Sequence, residues 1–200
     1  GADKVSINTM ALENPLVVEE LAARYGRANV VVAIDARREH DCWRGYSERG
    51  TLRTEWAALD WARRVEELGA GEILLTSIER EGRMEGYDVD LVRRVADAVS
   101  IPVIANGDIT TPEKSLEVLR LSGADSLMIG RAAQGRPWIF RELNYYHSHG
   151  SHAAPLDITE VRDIMLDHLN DLYQLYGDTT GVRVARKHLT WYCTGLENAE

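Results

Sequence analysis

The stretch IPVIANGDITTPE, residues 101–113, decides the fold because it joins an apolar strand to a helix through a short polar turn. Val and Ile without polar alternation predict a strand that is buried on both faces of a parallel sheet. Thr111 followed by Pro112 predicts the first turn of a helix. The turn between them, residues 106–108, stands at the carboxyl end of the strand, where parallel α/β folds gather their ligands.

The same unit of strand and helix recurs along the chain. Gly-Ala steps at residues 1–2, 69–70 and 123–124 each precede a short apolar run. A glycine just past a helix adopts the left-handed cap conformation at low cost, so these steps are typical of a helix that ends before a buried strand. Strands are predicted at 4–8, 30–35, 72–77, 102–106 and 126–130, and helices at 15–25, 56–68, 89–99 and 112–121.

Repeating βα units indicate the α/β class, with a parallel sheet and right-handed crossovers. We predict five consecutive βα units of a TIM-type (βα)8 barrel, which is then incomplete, or an open doubly wound sheet. Open sheet edges invite pairing, so we expect either a rearranged sheet or self-association through those edges. A small helical appendage is predicted at 157–177 and 182–192, where Asp157 and Glu160 have the spacing of a capping box.

Composition excludes several classes of protein. With 44% hydrophobic and 28% charged residues, the 200-residue chain is typical of a globular protein. A formal net charge of −9 means that a nucleic-acid partner must meet a local basic patch. Cys42 and Cys193 form no metal-spacing motif, and we expect no metal, no membrane span and a reducing, cytoplasmic location. The chain opens at Gly1 within a strand-like pattern, which suggests a segment of a longer protein.

Polar or glycine residues end several predicted strands, and the candidates at these ends are Asn8, Thr9, Asp35, Thr76, Ser77, residues 106–108, Gly130 and Arg131. Asp35 ends an apolar strand, and it is either a general acid/base or an acid that pairs with Arg37 or Arg38. Glycine-rich turns at 106–108 and 130–135 follow neighbouring strands, where backbone N–H groups and a helix N-terminus favour an anion. These two turns together predict a phosphate site, although either turn alone would fit a simple tight turn better. The residues predicted to hold the phosphate are Asn106, Gly107, Asp108, Gly130 and Arg131.

Two other clusters are open to a functional and a structural interpretation. His147, His149 and His152 occur in a predicted turn without an acid or a cysteine, which is weak support for a metal site. A basic cluster on the last predicted helix is either an RNA-phosphate contact supported by aromatic residues or an ordinary solvated face. Its members are Arg183, Arg186, Lys187 and His188.

Residues 1–100 resemble the cyclase subunit of imidazole glycerol phosphate synthase. The matching stretches are GADKVSINT (1–9), VVVAIDARR (30–38), ELGAGEILLTSI (67–78) and GYDVDLVRRVADAVS (86–100). The resemblance implies a (βα)8 lyase of histidine biosynthesis with Asp35 as a catalytic acid and a glutaminase subunit as partner. It also implies ammonia passage near Lys4 and Glu72 at the opposite end of the barrel. The implied substrate-binding residues are Asn8, Thr9, Ser77 and Gly82.

Residues 101–200 resemble the bacterial tRNA-dihydrouridine synthases. The matching stretches are SIPVIANGDITTPEKS (100–115), GADSLMIGRAAQGRPWIFRE (123–142) and VRVARKHLTWY (182–192). The resemblance implies that FMN is the cofactor and that its phosphate is held by the two glycine-rich turns. It implies a helical domain that contacts tRNA through Arg183, Arg186 and Lys187.

The two resemblances predict a chain that combines parts of two enzymes. We expect residues 1–148 to form the partial barrel, with a switch of family near 99–102, and residues 149–200 to form a truncated tRNA-binding-like helical domain. Neither catalytic set is complete in this sequence. The leading hypothesis is therefore a phosphate- or FMN-binding partial barrel without complete catalysis. The alternatives are cyclase-type lyase activity and an inactive recombined or artificial chimera.

Overall fold

The computed structural model describes residues 2–79 and 87–194 of the chain. The chain divides into two compact units, Gly1–Ile129 and Gly130–Glu200. The strands of the first unit are β1 (Val5–Ile7), β2 (Val30–Glu39), β3 (Cys42–Ser47), β4 (Leu52–Ala57), β5 (Glu72–Ser77), β6 (Val103–Asn106) and β7 (Ser126–Met128). Its helices are α1 (Thr9–Glu13), α2 (Leu16–Tyr25), α3 (Ala58–Glu67), α4 (Val89–Ala96) and α5 (Pro112–Ser122).

The seven strands form one sheet in the order β4-β3-β2-β5-β6-β7, with β1 also paired to β2. Five of them (β1, β2, β5, β6 and β7) run parallel with helices between them, as the repeat predicts, although a hairpin separates β2 from the helix that follows it. This arrangement confirms the predicted α/β class and the five βα units of a partial TIM-type barrel. Among the described strands, the sheet has outer strands at β1, β4 and β7 and does not close on itself.

The two faces of the sheet differ in burial. One face carries residues such as Ile34, Ile73 and Val103, which are at most 2% exposed. Helices α2, α3 and α4 pack against the strands and cover this face with their own apolar residues, including Trp61 and Leu91. The opposite face retains partial exposure. This difference arises because βα crossovers place helices on one side of each strand pair.

Helix ends follow the predicted capping chemistry. The Thr111 hydroxyl accepts a hydrogen bond from the backbone N–H of Lys114, and Pro112 occupies the first turn of α5. At the other end, Gly123 has a left-handed φ of 68° and its N–H bonds to the carbonyl of Leu119. These two caps fix where α5 begins and where the chain turns towards β7.

The antiparallel hairpin β3–β4 was not predicted. The strand expected at 30–35 continues to Glu39, and β3 pairs with its second half, so Cys42 lies on a strand and not on a loop. The turn between β3 and β4 uses positive φ at Glu48 and Arg49 as well as at Gly50. Non-glycine residues rarely adopt this conformation. Since the turn also has no Asn-Gly or Asp-Gly pair, the usual sequence signal of a hairpin is absent.

Trp43 of β3 ties the hairpin to the start of α4. Its indole N–H donates to the Asp88 carboxylate at 2.8 Å, and the second oxygen of Asp88 accepts from the backbone N–H of Leu91. Trp43 is 3% exposed and Asp88 is 9% exposed. The guanidinium groups of Arg38 and Arg94 each lie about 5 Å from the indole ring. Asp88 therefore caps α4 and positions the hairpin with the same carboxylate.

The second unit is helical, with α6 (Ile139–His149) and α7 (Ile158–Cys193). Within α7, Gly177 has φ 71° and ψ 171°, so the helix breaks there into two segments. The segments fold back on each other, since His168 contacts His188 and a side chain at Gly181 would overlap Tyr173. The predicted pair of helices is thus present, with the break at Gly177. The predicted capping box is also present, because Asp157 accepts from the N–H of Glu160 and Glu160 from that of Asp157.

The remaining expectations concern the histidine-rich turn, the domain limits and membrane-spanning helices. His147 and His149 lie in the last turn of α6, so the predicted histidine-rich turn is in fact mostly helix. The predicted domain limits at 148/149 and the family switch near 99–102 stay predictions. Among the residues that the structure describes, no helix has both the length and the apolar character that a membrane crossing requires.

Candidate functional site

A row of polar side chains crosses the carboxyl edge of the parallel sheet. Asp35 of β2 is the Cα partner of Thr76 in β5, and Thr76 is the partner of Asn106 in β6. Partners in a parallel ladder project from the same face, so the three side chains lie in line on the less covered face. The Asn106 amide donates to the Thr76 hydroxyl at 3.0 Å. Strand register therefore brings together residues that are more than 70 positions apart.

Asn8 extends this row on the side of β1. Its amide nitrogen donates to the Asp35 carboxylate at 2.9 Å in a partly buried position. Its carbonyl oxygen is buried and makes no hydrogen bond within the described part of the chain. A buried acceptor without a donor is costly, and such a group at a strand end is a natural contact for a ligand N–H or O–H.

Thr9 lies beside this pair but makes a contact of its own with the hairpin. Its hydroxyl accepts a hydrogen bond of 2.9 Å from the backbone N–H of Glu48, which lies in the turn between β3 and β4. The hairpin tip is thereby held next to the end of β1. The role of Thr9 in substrate binding stays a prediction.

Ser77 and Gly82 have different positions from the rest of the predicted substrate set. Ser77 pairs with Ala36 and, by strand alternation, projects from the opposite face to Thr76. Thr76 is thus the β5 residue that joins the polar row, which only the register of β5 against β2 reveals. Gly82 lies outside the described residues.

Lys4 and Glu72 form an ion pair at the amino-terminal edge of the sheet. Lys4 precedes β1, and Glu72 is the first residue of β5. This edge is opposite to the one that carries Asp35, as the sequence resemblance implies.

The turn after β6 packs against a buried tyrosine. A side chain added at Gly107 would lie 3.0 Å from the Tyr87 ring, so the glycine allows this close approach. Asp108 is 8% exposed and Tyr87 is 5% exposed. Burial, with a further contribution from the Asp108 charge, raises the pKa of the Tyr87 phenol. Packing on Tyr87 is therefore one reason for the glycine in this turn, alongside the predicted phosphate contact.

The predicted phosphate residues Gly130 and Arg131 belong to the second unit. Gly130 precedes a short 3₁₀ turn, Arg131–Ala133, and an added side chain there would meet nothing within 4 Å. Arg131 is exposed. Open space beside a glycine and an arginine is compatible with the close approach of an anion.

The predicted tRNA-contact residues lie on the second segment of α7. Arg183, Arg186 and Lys187 are all exposed, and helical spacing places them on neighbouring positions of one side of the helix. The Lys187 ammonium lies 4.9 Å from the centroid of the Trp191 ring. The structure thus presents these cations to solvent beside an aromatic residue.

A cluster of two histidines holds the two segments of α7 together. The rings of His168 and His188 lie edge to face with centroids 4.6 Å apart, and His168 Nδ1 is 3.2 Å from the Tyr192 hydroxyl. Burial, His168 and Lys187 lower the pKa of His188. In the described part of the chain, no group of three or more metal-ligating side chains is present.

Comparison with known proteins gives matches of two kinds. The family described as histidine biosynthesis protein matches residues 1–136. Imidazole glycerol phosphate synthase subunit HisF from Metallosphaera sedula is 48% identical over 146 residues, which are 73% of this chain and 58% of that protein. tRNA-dihydrouridine synthase B from Pectobacterium carotovorum is 45% identical over 147 residues, 70% of this chain and 46% of that protein. The same synthase from Vibrio cholerae is 48% identical over 142 residues.

The chain spans about half the length of these curated relatives. Because one match covers 73% of the chain and the other 70%, the two must share at least 43% of it. Both kinds of relative are therefore similar to the same βα units over a substantial stretch. Both resemblances inferred from the sequence are confirmed.

Proposed function

The chain belongs to the histidine biosynthesis protein family, and we propose that it binds a phosphorylated ligand, with FMN as that ligand. The observation that carries this proposal is the open space at Gly130 next to the exposed Arg131. A phosphate needs backbone N–H groups that it can approach and a cation that forms charge-assisted hydrogen bonds. FMN, when bound, supplies a ring that accepts and donates electrons.

The two glycine-rich turns contribute to the proposal in different ways. Gly130 and Arg131 fit a phosphate, because nothing occupies the space that a side chain would fill. In the other turn, Asn106 is hydrogen-bonded to Thr76, and Gly107 packs on Tyr87. A contribution of this first-unit turn to ligand binding, through its backbone and the Asn106 amide, stays a prediction, and Tyr87 keeps the turn in shape. Asp108 is buried, and its role in holding the phosphate stays a prediction.

A flavin titration tests the proposal directly. FMN added to the full chain should give saturable quenching of flavin fluorescence. Gly130→Ala and Arg131→Gln should each weaken binding about tenfold, because the methyl group takes the approach space and the glutamine lacks the charge. Arg162→Gln is the matched control, since Arg162 is an exposed arginine paired with Asp163 on α7. Absence of saturable binding would contradict the proposal.

A second candidate function is acid–base chemistry of the cyclase type at Asp35. The observation that favours it is the carboxylate held by Asn8 in the polar row with Thr76 and Asn106. A carboxylate oriented by a neighbouring amide at a strand end is suited to accept or donate a proton. Ammonia-dependent turnover of an imidazole glycerol phosphate precursor should be lost in Asp35→Asn. Turnover that is unchanged in this variant would remove Asp35 from the mechanism.

A third candidate is tRNA binding by α7. It is supported by the exposed cations Arg183, Arg186 and Lys187 beside Trp191. Phosphate contacts make binding depend on salt, and each lost contact lowers that dependence. A triple Gln variant of the three cations should bind tRNA more weakly and with a shallower salt slope than the Arg162→Gln control. Equal affinity and slope in both variants would contradict this role.

The remaining expectations stay predictions. A glutaminase partner would meet the edge that carries Lys4 and Glu72, and self-association would use the outer strands β1, β4 or β7. Light scattering after size exclusion measures self-association. Incomplete catalysis, a chimeric origin and cytoplasmic location are likewise predictions, and the flavin and turnover assays test the first of them.

A further inference from the structure

The second unit contains a cavity of about 540 Å³ that the sequence did not indicate. Its walls come from the 3₁₀ turn after Gly130, the segment before α7 and the last turn of α7. Cavities of roughly 300–1,000 Å³ are the size class that holds small organic ligands. The cavity is therefore large enough for a ligand of the size of a nucleotide.

Three of the residues that line the cavity are aromatic. Trp138 and Tyr192 have ring centroids 6.3 Å apart with planes 34° from parallel, and Trp191 lines the cavity beside them. Leu156 adds an aliphatic contact. Flat aromatic rings that face a cavity favour a planar ligand, which they bind by stacking without regard to its hydrogen-bonding pattern.

Gly135 holds this aromatic wall in place. It has a left-handed φ of 72°, and a side chain there would lie 2.4 Å from the carbonyl oxygen of Trp191. The chain before α6 and the last turn of α7 thus touch through backbone atoms. Because backbone atoms cannot rotate away as side chains do, the spacing between the two cavity walls is set by the fold.

Two arginines give the cavity a cationic side. Arg131 and Arg136 both line it, and Arg136 is held by an ion pair with Glu142. The guanidinium group is planar and presents several donors, so it suits phosphate oxygens as well as aromatic faces. A pocket with stacking walls and guanidinium donors matches a ligand that has a flat ring and an anionic group.

We propose that this pocket binds a nucleoside monophosphate unit, with the base against Trp138 and the phosphate on Arg131. The unit is either a free nucleotide or one residue of an RNA strand. The inference rests on the proposed function in using Arg131 as a phosphate ligand, and it adds the aromatic pocket that the base would enter.

Calorimetric titration of the full chain tests the inference. Each of the four nucleoside monophosphates, the matching nucleosides and inorganic phosphate serve as separate probes. We expect saturable binding of a monophosphate, and weaker binding of its nucleoside and of inorganic phosphate. Trp138→Ala should weaken monophosphate binding about tenfold, and Trp138→Phe should stay within about threefold, because phenylalanine retains a stacking ring. Circular dichroism of each variant confirms that the helices are intact.

Further variants separate this inference from the proposed function. Arg131→Gln should weaken monophosphate binding but leave nucleoside binding unchanged, and Arg162→Gln should change neither. Flavin binding that survives Trp138→Ala while nucleotide binding is lost would show that the base, and not the flavin ring, depends on Trp138, and it would uphold the inference. Absence of saturable binding by any monophosphate, or equal loss in Trp138→Ala and Trp138→Phe with intact helices, would overturn it. Titration with a short RNA strand then identifies whether the free nucleotide or the RNA residue binds more tightly.

Discussion

The amide of Asn8 donates a hydrogen bond of 2.9 Å to the carboxylate of Asp35, across the neighbouring strands β1 and β2. The two residues are 27 positions apart in the chain and meet because β1 pairs with the first half of β2. The contact fixes one carboxylate oxygen and leaves the Asn8 carbonyl oxygen buried beside it. Asp35 is thereby oriented at the edge where a ligand would approach.

Replacing Asn8 by Asp should make the stability of the chain depend on pH. Two carboxylates at hydrogen-bonding distance repel, so the pKa of the pair in the folded state rises above the ordinary Asp value. A raised carboxyl pKa destabilises the fold at neutral pH, and stability returns as the pH falls through the raised pKa. We expect a loss of about 1–3 kcal/mol at pH 7 that shrinks towards pH 5. Urea unfolding across this range measures it.

Asn8→Ala is the matched control for that experiment. It removes the hydrogen bond to Asp35 without adding a charge, so its cost of about 1–3 kcal/mol should stay nearly constant between pH 5 and 7. The same pH dependence in both variants would show that the carboxylates do not interact.

Gly107→Ala and Gly130→Ala should differ in their effects on folding. The methyl group at position 107 would press on the buried Tyr87 ring at 3.0 Å, which should cost about 1–3 kcal/mol. At position 130 it would meet nothing within 4 Å, so the change in stability should be under about 0.5 kcal/mol. Thermal unfolding of the two variants side by side measures the difference. Equal stability of the two variants would mean that the Tyr87 ring moves aside for the added methyl group at little cost.

Trp43→Phe should destabilise the first unit. The substitution removes the indole N–H that binds the buried Asp88 carboxylate, and an unpaired buried acceptor costs about 1–3 kcal/mol. Asp90→Asn is the control, because Asp90 lies in the same first turn of α4 but forms an exposed pair with Arg94. Such a pair should contribute less than about 1 kcal/mol. Denaturant midpoints of the two variants that coincide would contradict the anchoring role of Trp43.

The second unit should lose stability as the pH falls below neutral. Burial, together with the nearby His168 and Lys187, lowers the pKa of His188 in the folded state. The unfolded chain then binds a proton on this residue before the folded chain does, so protonation favours unfolding as the pH drops below about 6.5. His188→Gln should reduce this pH dependence, as measured by helix content between pH 7.5 and 5. If His188→Gln keeps the full pH dependence of helix content, other titratable groups cause that dependence.

Much of the parallel sheet was predictable because its signals are local. Apolar runs after Gly-Ala steps identify β1, β5 and β7, and the caps at Thr111 and Gly123 limit α5. Each of these features depends on residues within a few positions of each other, where propensity and capping act. The capping box at Asp157 was predictable for the same reason.

The hairpin β3–β4 was not predictable by the same rules. Its turn adopts positive φ at Glu48 and Arg49, residue types that give no turn signal. Its stability comes from distant partners, since Trp43 bonds to Asp88 and the tip bonds to Thr9. Contacts over such separations cannot be inferred from one local pattern.

The candidate site also combines features that local sequence predicts with features that depend on distant contacts. Asp35 and Asn106 were chosen because they end predicted strands, and the structure aligns them. Thr76 and Ser77 both end a predicted strand, and the register of β5 against β2 decides which of them joins the polar row. A shift of one residue would reverse this choice. Trp138 and Trp191 line the same cavity although they are far apart in the chain, so the cavity had no sequence signal.

The long strand β2 has two different neighbours along the same edge. Its first residues pair with β1, and its last residues pair with β3, while β5 covers the other edge along most of its length. The β3–β4 hairpin therefore attaches to a part of β2 that the parallel ladder with β1 does not use. Exchange of the hairpin would therefore leave the pairing of β1 with β2 in place, but it would also remove the Trp43 contact with Asp88 and the contact of the hairpin tip with Thr9.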